Sequence, residues 1–277
     1  MAPYNLNLVK DELSLASWLA IGATAQVLFA LVVPPRYALL PLAMVIAARV
    51  LDFAMQYLGL VPNYYLKQAV LGRHSIVFPD RDGSKPEEMG TKPVAMFLVG
   101  IRSNHPIGRL LPAYRKLNDY MDKIYEDADA NRATNGYLGR TPDWLPTEFS
   151  QNNTLCSISY WSSVEELQAF SHRPIHLSSM KFLGTVLRSG TDVGVVHEVL
   201  VCPPGHWEGV YGNVNPWGFG GTKFPAGKDG ALRPPIYERD LKQLNGMWGR
   251  MGNRVRQAQA DAALADLVGN VEEFTGA

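Results

Sequence analysis

The chain has 277 residues, of which 47% are hydrophobic, 26 are basic and 26 are acidic. Zero formal net charge excludes the basic surface of a nucleic-acid-binding protein, and the apolar content excludes a disordered chain. Its two cysteines can form neither a disulfide framework nor a four-cysteine zinc site.

The first 62 residues carry only six charged side chains. Residues 13–35 contain no charge, and a run of this length is typical of a membrane-spanning helix. A second apolar run, residues 37–62, contains Arg49 and Asp52 on one helix face, where the two can pair. This second run either spans the bilayer or lies in its interface. We therefore predict residues 1–62 to be a membrane-anchoring hydrophobic helical hairpin.

Two alternatives stay open for this segment: a signal peptide and a buried helix pair of a soluble protein. A signal peptide needs a positive amino-terminal region and a short apolar run, whereas this chain has one lysine against two acids and a longer run. For a membrane hairpin, the positive-inside rule favours a cytosolic domain. The basic residues just downstream agree with this orientation: Lys67, Arg73, Arg81 and Lys85.

The remaining sequence is divided into a linker at residues 63–89, a domain at 90–222 and a carboxyl-terminal tail at 223–277. In the domain, hydrophobic periodicity and turn residues predict strands at 91–101, 136–140, 154–161 and 192–202, and helices at 109–127, 164–171 and 175–188. A further strand is predicted within 206–214, and a helix at 257–267 in the tail. This order of elements is typical of a ferredoxin-like α+β fold.

Histidines supply the candidate chemistry. His172 and His176 have the spacing of a metal pair, but Pro174 between them disfavours one continuous helix. His197 and Glu198 lie in an otherwise apolar strand and point to opposite faces, so one of them faces the core or a cavity. His197 is then either a structural histidine or an acid/base group.

Several sequence motifs are similar to those of a known family: YWSSVEELQAF, HLSSMKF and GVVHEVLVCPPGHWEGVYGNVNPWGFG. Together with MFLVGIRSN and GYLG they resemble, over about residues 90–222, the dimeric α/β-barrel superfamily of antibiotic-biosynthesis monooxygenases, near its fungal polyene-cleaving members. The resemblance implies a homodimer of ferredoxin-like protomers and an oxygenase acting on an apolar polyketide or terpenoid.

A histidine-bearing helix followed by a histidine-bearing strand is also similar to haem-dependent aldoxime dehydratases. This second resemblance implies that His176 is the proximal ligand of haem b iron and that His197, beside Glu198, is the catalytic acid/base. Arg102 and Ser159 are candidates for the distal arginine and serine of those enzymes. Cofactor-free oxygenases also occur in the superfamily, so haem is a hypothesis.

The sequence therefore predicts a membrane-associated monooxygenase of secondary metabolism that binds an apolar substrate between sheet and helices. Core packing is the alternative role for each aromatic residue that we expect in the pocket: Tyr160, Trp161, Phe170, Phe182 and Trp217. Two other functions remain open. One is a haem-dependent dehydratase or isomerase, and the other is a non-catalytic, membrane-tethered ligand-binding or scaffold protein.

Overall fold

The computed structural model describes residues 15–78, 92–146, 153–226 and 231–238. The chain divides into two units, Met1–Lys67 and Gln68–Ala277. The first contains the predicted hydrophobic helices, and the second contains the predicted α+β domain.

Two helices form the described part of the first unit, α1 (Leu15–Val32) and α2 (Leu40–Tyr57). A 3₁₀ turn at Pro35–Tyr37 separates them, because proline at the first helical position stops one helix and starts the next turn. Neither helix contains a buried residue, and Val32 at the end of α1 is 85% exposed. Each is long and apolar enough to cross a membrane.

A four-stranded antiparallel sheet forms the centre of the second unit. The strands of this unit have these bounds: β1 Val70–Ile76, β2 Val94–Ser103, β3 Tyr137–Arg140, β4 Thr154–Trp161, β5 Val193–Cys202, β6 Val210–Val214, β7 Phe224–Ala226, β8 Ala231–Arg233 and β9 Ile236–Glu238. The strands of the central sheet are ordered β3-β4-β2-β5, and a smaller sheet has the order β6-β1-β9.

Three helices complete the connectivity: α3 (Pro112–Ala130), α4 (Val164–Ser171) and α5 (Pro174–Ser189). The chain runs β2-α3-β3-β4-α4-α5-β5, and β4 lies between β2 and β3. This is the split β-α-β arrangement of ferredoxin-like folds. The predicted α+β fold class is therefore confirmed.

Local sequence signals explain where these helices begin. The Ser163 hydroxyl caps α4 by accepting a hydrogen bond of 3.2 Å from the Glu166 amide. Pro174 occupies the first turn of α5, where its missing amide hydrogen costs nothing. Because His172 is the carboxyl-terminal cap of α4 and His176 belongs to α5, the two histidines do not share one helix.

The sheet face opposite these helices is covered by an aromatic cluster. Phe219 stacks on Tyr160 with ring centroids 4.1 Å apart and contacts Phe78 and Trp207 at 5.4 and 5.5 Å. The structure corrects two sequence expectations in this region. Only Val210–Val214 of the predicted strand 206–214 is extended, and it pairs with β1, which lies in the segment predicted as a linker. The helix predicted at 257–267 lies outside the described residues.

Candidate active site

A cavity of about 420 Å³ lies between the sheet and helices α3, α4 and α5. Its walls are mainly apolar and include Phe97 and Val99 from β2, Met121 from α3 and Leu183 from α5. The helix-facing side chains of alternate strand positions form one wall, and the apolar faces of the helices form the other. Its size is that of a small-molecule pocket.

His176 enters this cavity from the first turn of α5. Burial lowers the pKa of its imidazole, and the nearby His172 and His197 lower it further. The Ser171 carbonyl lies close enough to favour the protonated ring, but no hydrogen bond of normal geometry reaches the buried Nδ1 from the described residues. The lowered pKa keeps His176 neutral near pH 7, the form that ligates metals or accepts a proton.

His197 lines the same cavity from β5, with its ring 5.7 Å from that of Phe97. It shares its strand face with Val195 and Val199, which also line the cavity. The side chain is exposed because β5 is an edge strand of its sheet. The structure thus brings His176 and His197 to one cavity, as the family resemblance implies, while their chemical roles stay predictions.

Glu198 is not brought to this site. Successive strand residues point to opposite faces, and Glu198 is absent from the described residues that line the cavity. Arg102 is likewise absent from that lining, and its Nε donates to the Asn104 side chain at 2.8 Å.

The aromatic residues predicted for the pocket divide into two groups. Trp161 and Phe170 line the cavity, with ring centroids 4.9 Å apart. The described lining does not include Tyr160, Phe182 or Trp217. Tyr160 alternates with Trp161 and therefore points to the opposite sheet face. Phe182 packs beside Tyr120, and Trp217 is 53% exposed.

A group of buried hydroxyls is part of the site that sequence reasoning largely missed. The Tyr125 hydroxyl lies 3.0 Å from the Ser157 hydroxyl, and the Trp161 indole nitrogen donates to the Ser159 hydroxyl at 3.0 Å. The resemblance to aldoxime dehydratases suggests Ser159 only as a candidate distal serine. Alternation along β4 could have grouped Ser157, Ser159 and Trp161 on one face. Helical periodicity could have added Tyr125, which follows Leu117 and Met121 on the apolar face of α3.

The residues present fit a haem in two respects: the cavity is apolar, and His176 offers a neutral imidazole. No lysine or arginine is found among the described lining residues, so the carboxylates of a haem would need partners outside that lining. Elsewhere in the described ranges, no group of three or more His, Cys, Asp or Glu is placed to hold a metal ion.

The fold and the cavity define a ferredoxin-like domain with an apolar pocket. The family described as Monooxygenase af470-like matches residues 94–219, which cover the complete four-stranded sheet. Monooxygenase af470 from Aspergillus fumigatus is 28% identical over 222 residues, covering 79% of this chain and 80% of that protein. These matches confirm the resemblance inferred from the motifs, and they confirm the prediction of a monooxygenase-type oxidoreductase.

Two solved structures share lower sequence identity with this chain than Monooxygenase af470 does. An aldoxime dehydratase (OxdRE) in complex with butyraldoxime has a TM-score of 0.41 and 17% identity, covering 54% of this chain and 39% of that chain. SnoaB, a cofactor-independent oxygenase from Streptomyces nogalater, has a TM-score of 0.24 and 15% identity, covering 39% of this chain and 90% of that chain. At these TM-scores neither similarity bears on the function.

Proposed function

We propose that this protein is a membrane-associated monooxygenase that oxygenates or oxidatively cleaves an apolar polyketide or terpenoid. The observation that carries the proposal is the apolar cavity of about 420 Å³ that holds both His176 and His197. Apolar walls favour a substrate with little polar surface, and two imidazoles supply the acid/base groups that the walls lack. The similarity to Monooxygenase af470 supports the reaction class.

His197 is the proposed acid/base residue. Its imidazole ring lines the cavity, where it can accept a proton from a bound substrate or donate one to it. His176 is the second imidazole and carries the lowered pKa. Glu198 has no contact with substrate in this proposal, because it lies outside the described lining.

Haem b is the proposed cofactor, and His176 is the residue that would hold it. When bound there, haem would supply oxygen activation. The chain's own contribution would then be a neutral nitrogen ligand from α5, apolar walls that contact the substrate, and His197 to move protons. A cofactor-free oxygenase would use the same walls and the same two histidines.

The absorption spectrum of the purified full-length protein tests the cofactor directly. We expect a Soret band after haem supplementation, its loss in His176→Ala, and its retention with altered position in His197→Ala. Absence of the band after supplementation would exclude haem and leave the cofactor-free oxygenase. Retention of an unchanged band in His176→Ala would overturn the assignment of the ligand.

Oxygen consumption separates the remaining functions. With a polyene ester as substrate, an oxygenase consumes oxygen and yields oxygenated product, whereas a haem-dependent dehydratase or isomerase converts its substrate without net oxygen uptake. A non-catalytic binding or scaffold protein binds the polyene and does neither. We expect oxygen consumption that falls strongly in His197→Gln, since removing a general acid/base typically costs about 10²- to 10⁴-fold.

The proposal also includes a membrane anchor and a homodimer. The length and apolar composition of helices α1 and α2 support the anchor, and the positive-inside rule supports a cytosolic location of the domain. Leu200 and Val201 on the edge strand β5 are 51% and 55% exposed. Exposed apolar side chains of this kind mark interaction surfaces, and they support a homodimer that buries β5. Light scattering of the detergent-solubilised protein should give the mass of two chains, and a monomeric mass would contradict the dimer.

A further inference from the structure

Three buried hydroxyl groups form a row, Tyr125, Ser157 and Ser159, on the sheet side of the cavity. Ser157 and Ser159 are two residues apart on β4 and therefore point to the same face. They are 4% and 0% exposed, and Tyr125 from α3 is 6% exposed. The Tyr125 hydroxyl lies 3.0 Å from that of Ser157.

This hydroxyl row marks the boundary between two cavities. Tyr125 and Ser159 line the apolar pocket. On the other side, Tyr125 and Ser157 line a small polar cavity with Arg140 and Asp143. The volume of that second cavity is about 20 Å³, which is room for one water molecule. The hydroxyl row is thus the place where an otherwise apolar wall offers hydrogen-bonding groups.

A count of donors and acceptors shows that the row can donate into the pocket. One acceptor site of Ser159 is filled by the Trp161 indole nitrogen at 3.0 Å. The Ser159 hydrogen points to the Phe97 carbonyl at 3.4 Å, which is longer than the usual hydroxyl bond. A better-placed acceptor in the pocket would therefore take that hydrogen. The Tyr125 and Ser157 hydroxyls share one hydrogen bond of 3.0 Å in which either can donate, and when Ser157 donates, the Tyr125 hydrogen is left to bind an acceptor in the pocket.

We infer that the hydroxyl row binds an acceptor oxygen of the substrate, so that the substrate class is an apolar body carrying a carbonyl group rather than a plain hydrocarbon. The inference rests on the proposed function in taking the apolar cavity as the substrate site. Binding of such an oxygen exchanges the long 3.4 Å bond from Ser159 to the Phe97 carbonyl for a shorter one, so the pocket favours a ligand that carries the oxygen over one that lacks it. The row also fixes which end of the substrate lies at β4, and hence which bonds lie near His197.

A matched pair of ligands tests the inference without the natural substrate. 2-Acetylnaphthalene carries a ketone, and 2-isopropenylnaphthalene has the same shape with a methylene group in place of the oxygen. We expect the full-length protein to bind the ketone about five- to tenfold more tightly, the effect of one net hydrogen bond. The infrared carbonyl band of the bound ketone should lie at lower wavenumber than that of the same ketone in hexane.

Substitutions in the hydroxyl row test whether the preference for the ketone depends on these hydroxyls. Tyr125→Phe and Ser159→Ala should each reduce the preference for the ketone and move its carbonyl band towards the hexane value. Tyr137→Phe is the matched control, since Tyr137 is a buried tyrosine, 1% exposed, whose ring lies 6.4 Å from that of Tyr125 and which is absent from the described pocket lining. It should keep both the preference and the band position.

The outcomes separate this inference from the proposed function. Equal binding of both ligands by the unaltered protein, with the carbonyl band at its hexane position, would overturn carbonyl recognition and leave the pocket intact. Failure of both ligands to bind would overturn the use of the cavity itself. Because the band of the unaltered protein is decisive alone, a variant that does not fold cannot leave the inference undecided.

Discussion

Arg173 and Asp127 form a two-point ion pair that joins the beginning of α5 to α3. The Arg173 Nε contacts one carboxylate oxygen of Asp127, and Nη2 contacts the other at 2.6 Å. Arg173 immediately precedes α5 and is three residues before His176. Such a fork fixes orientation as well as distance. The pair therefore holds the turn that carries His176 against a helix that lines the same cavity.

Breaking this fork should disturb the site more than the bulk of the domain. In Asp127→Asn, a neutral amide replaces the carboxylate, so one charge-assisted bond becomes a weaker neutral one and the other is lost. We expect a lower unfolding midpoint and weaker haem binding, measured by chemical denaturation and by haem titration at the Soret wavelength. Asp129→Asn is the control, because the Asp129 side chain is 55% exposed and pairs with Arg132, and neither residue is among the described lining of the cavity. Equal haem affinities in the two variants would contradict the positioning role.

The lowered pKa of His176 should make stability fall in acid. The folded domain disfavours the protonated ring, so as pH falls through the ordinary value of 6.5 the unfolded chain binds a proton that the folded chain does not. Stability is therefore fully present above about pH 7.5 and is lost progressively until the pH reaches the folded-state pKa, at about 1.4 kcal/mol per unit of pKa difference.

Denaturation of His176→Gln from pH 8 to pH 5 measures this contribution. The variant should lose less stability on acidification than the unaltered protein. His206→Gln, at an exposed loop position, should follow the unaltered protein. Parallel curves for His176→Gln and the unaltered protein would show that the histidine titrates alike in both states.

Sequence features that act over a few residues, such as strand alternation and helix capping, made much of the domain predictable. The strand at 154–161 and the helix at 164–171 have the predicted bounds, because alternation and a capping residue act within a few positions. Strand β1 was not predicted: its pairing with β6 joins segments far apart in sequence, and its run VLGRHSI has no clear apolar alternation. Its extended form depends on tertiary pairing.

In the candidate site, too, contacts between residues distant in sequence could not be predicted. Strand alternation predicts only that one of His197 and Glu198 faces the core or a cavity, and in the folded chain it is His197 that lines the cavity. Trp161, one of the aromatic residues expected in the pocket, lines the cavity as well. Tyr160 and Trp217 are equally aromatic, but only the folded chain shows that Tyr160 packs on Phe219 behind the sheet. Periodicity places Tyr125 on the apolar face of α3, but only the folded chain shows that its hydroxyl contacts Ser157, 32 positions away.

Gly136 offers a test of the turn that leads into β3. Its φ is +68°, and an added Cβ would lie 2.5 Å from the Ser162 hydroxyl oxygen and 2.7 Å from the Glu166 Cβ. Gly205 has a similar φ of +80° but nothing within 4 Å of the added atom. Gly205→Ala should therefore cost only the left-handed backbone energy, about 1–2 kcal/mol. Gly136→Ala should cost about 1–3 kcal/mol more, because the clash is added.

Urea denaturation of the two alanine variants gives both free energies of unfolding. The difference between them isolates the packing of Gly136 against the start of α4. Equal destabilisation would mean that Ser162 and Glu166 move aside freely, and the close approach would then have no structural importance.

The apolar helices lead to a prediction about membrane association. Large side chains of α1 and α2 are exposed, for example Leu15 at 76% and Tyr57 at 81%. Exposure on this scale is unfavourable in water and favourable in a bilayer. We expect the full chain to remain in the membrane fraction after washing with high salt and alkaline carbonate, and to be released by detergent. A variant beginning at Gln68, the start of the second unit, should appear in the soluble fraction.

Protease treatment of sealed microsomes then tests the orientation. A cytosolic domain lies on the outside of these vesicles, so protease should digest it without detergent, while a protein enclosed in the lumen serves as the protected control. Protection of the domain until detergent is added would reverse the orientation proposed from the positive-inside rule. Amino-terminal sequencing of the mature protein decides the signal-peptide alternative, because cleavage after the first apolar run would remove α1 and with it the hairpin.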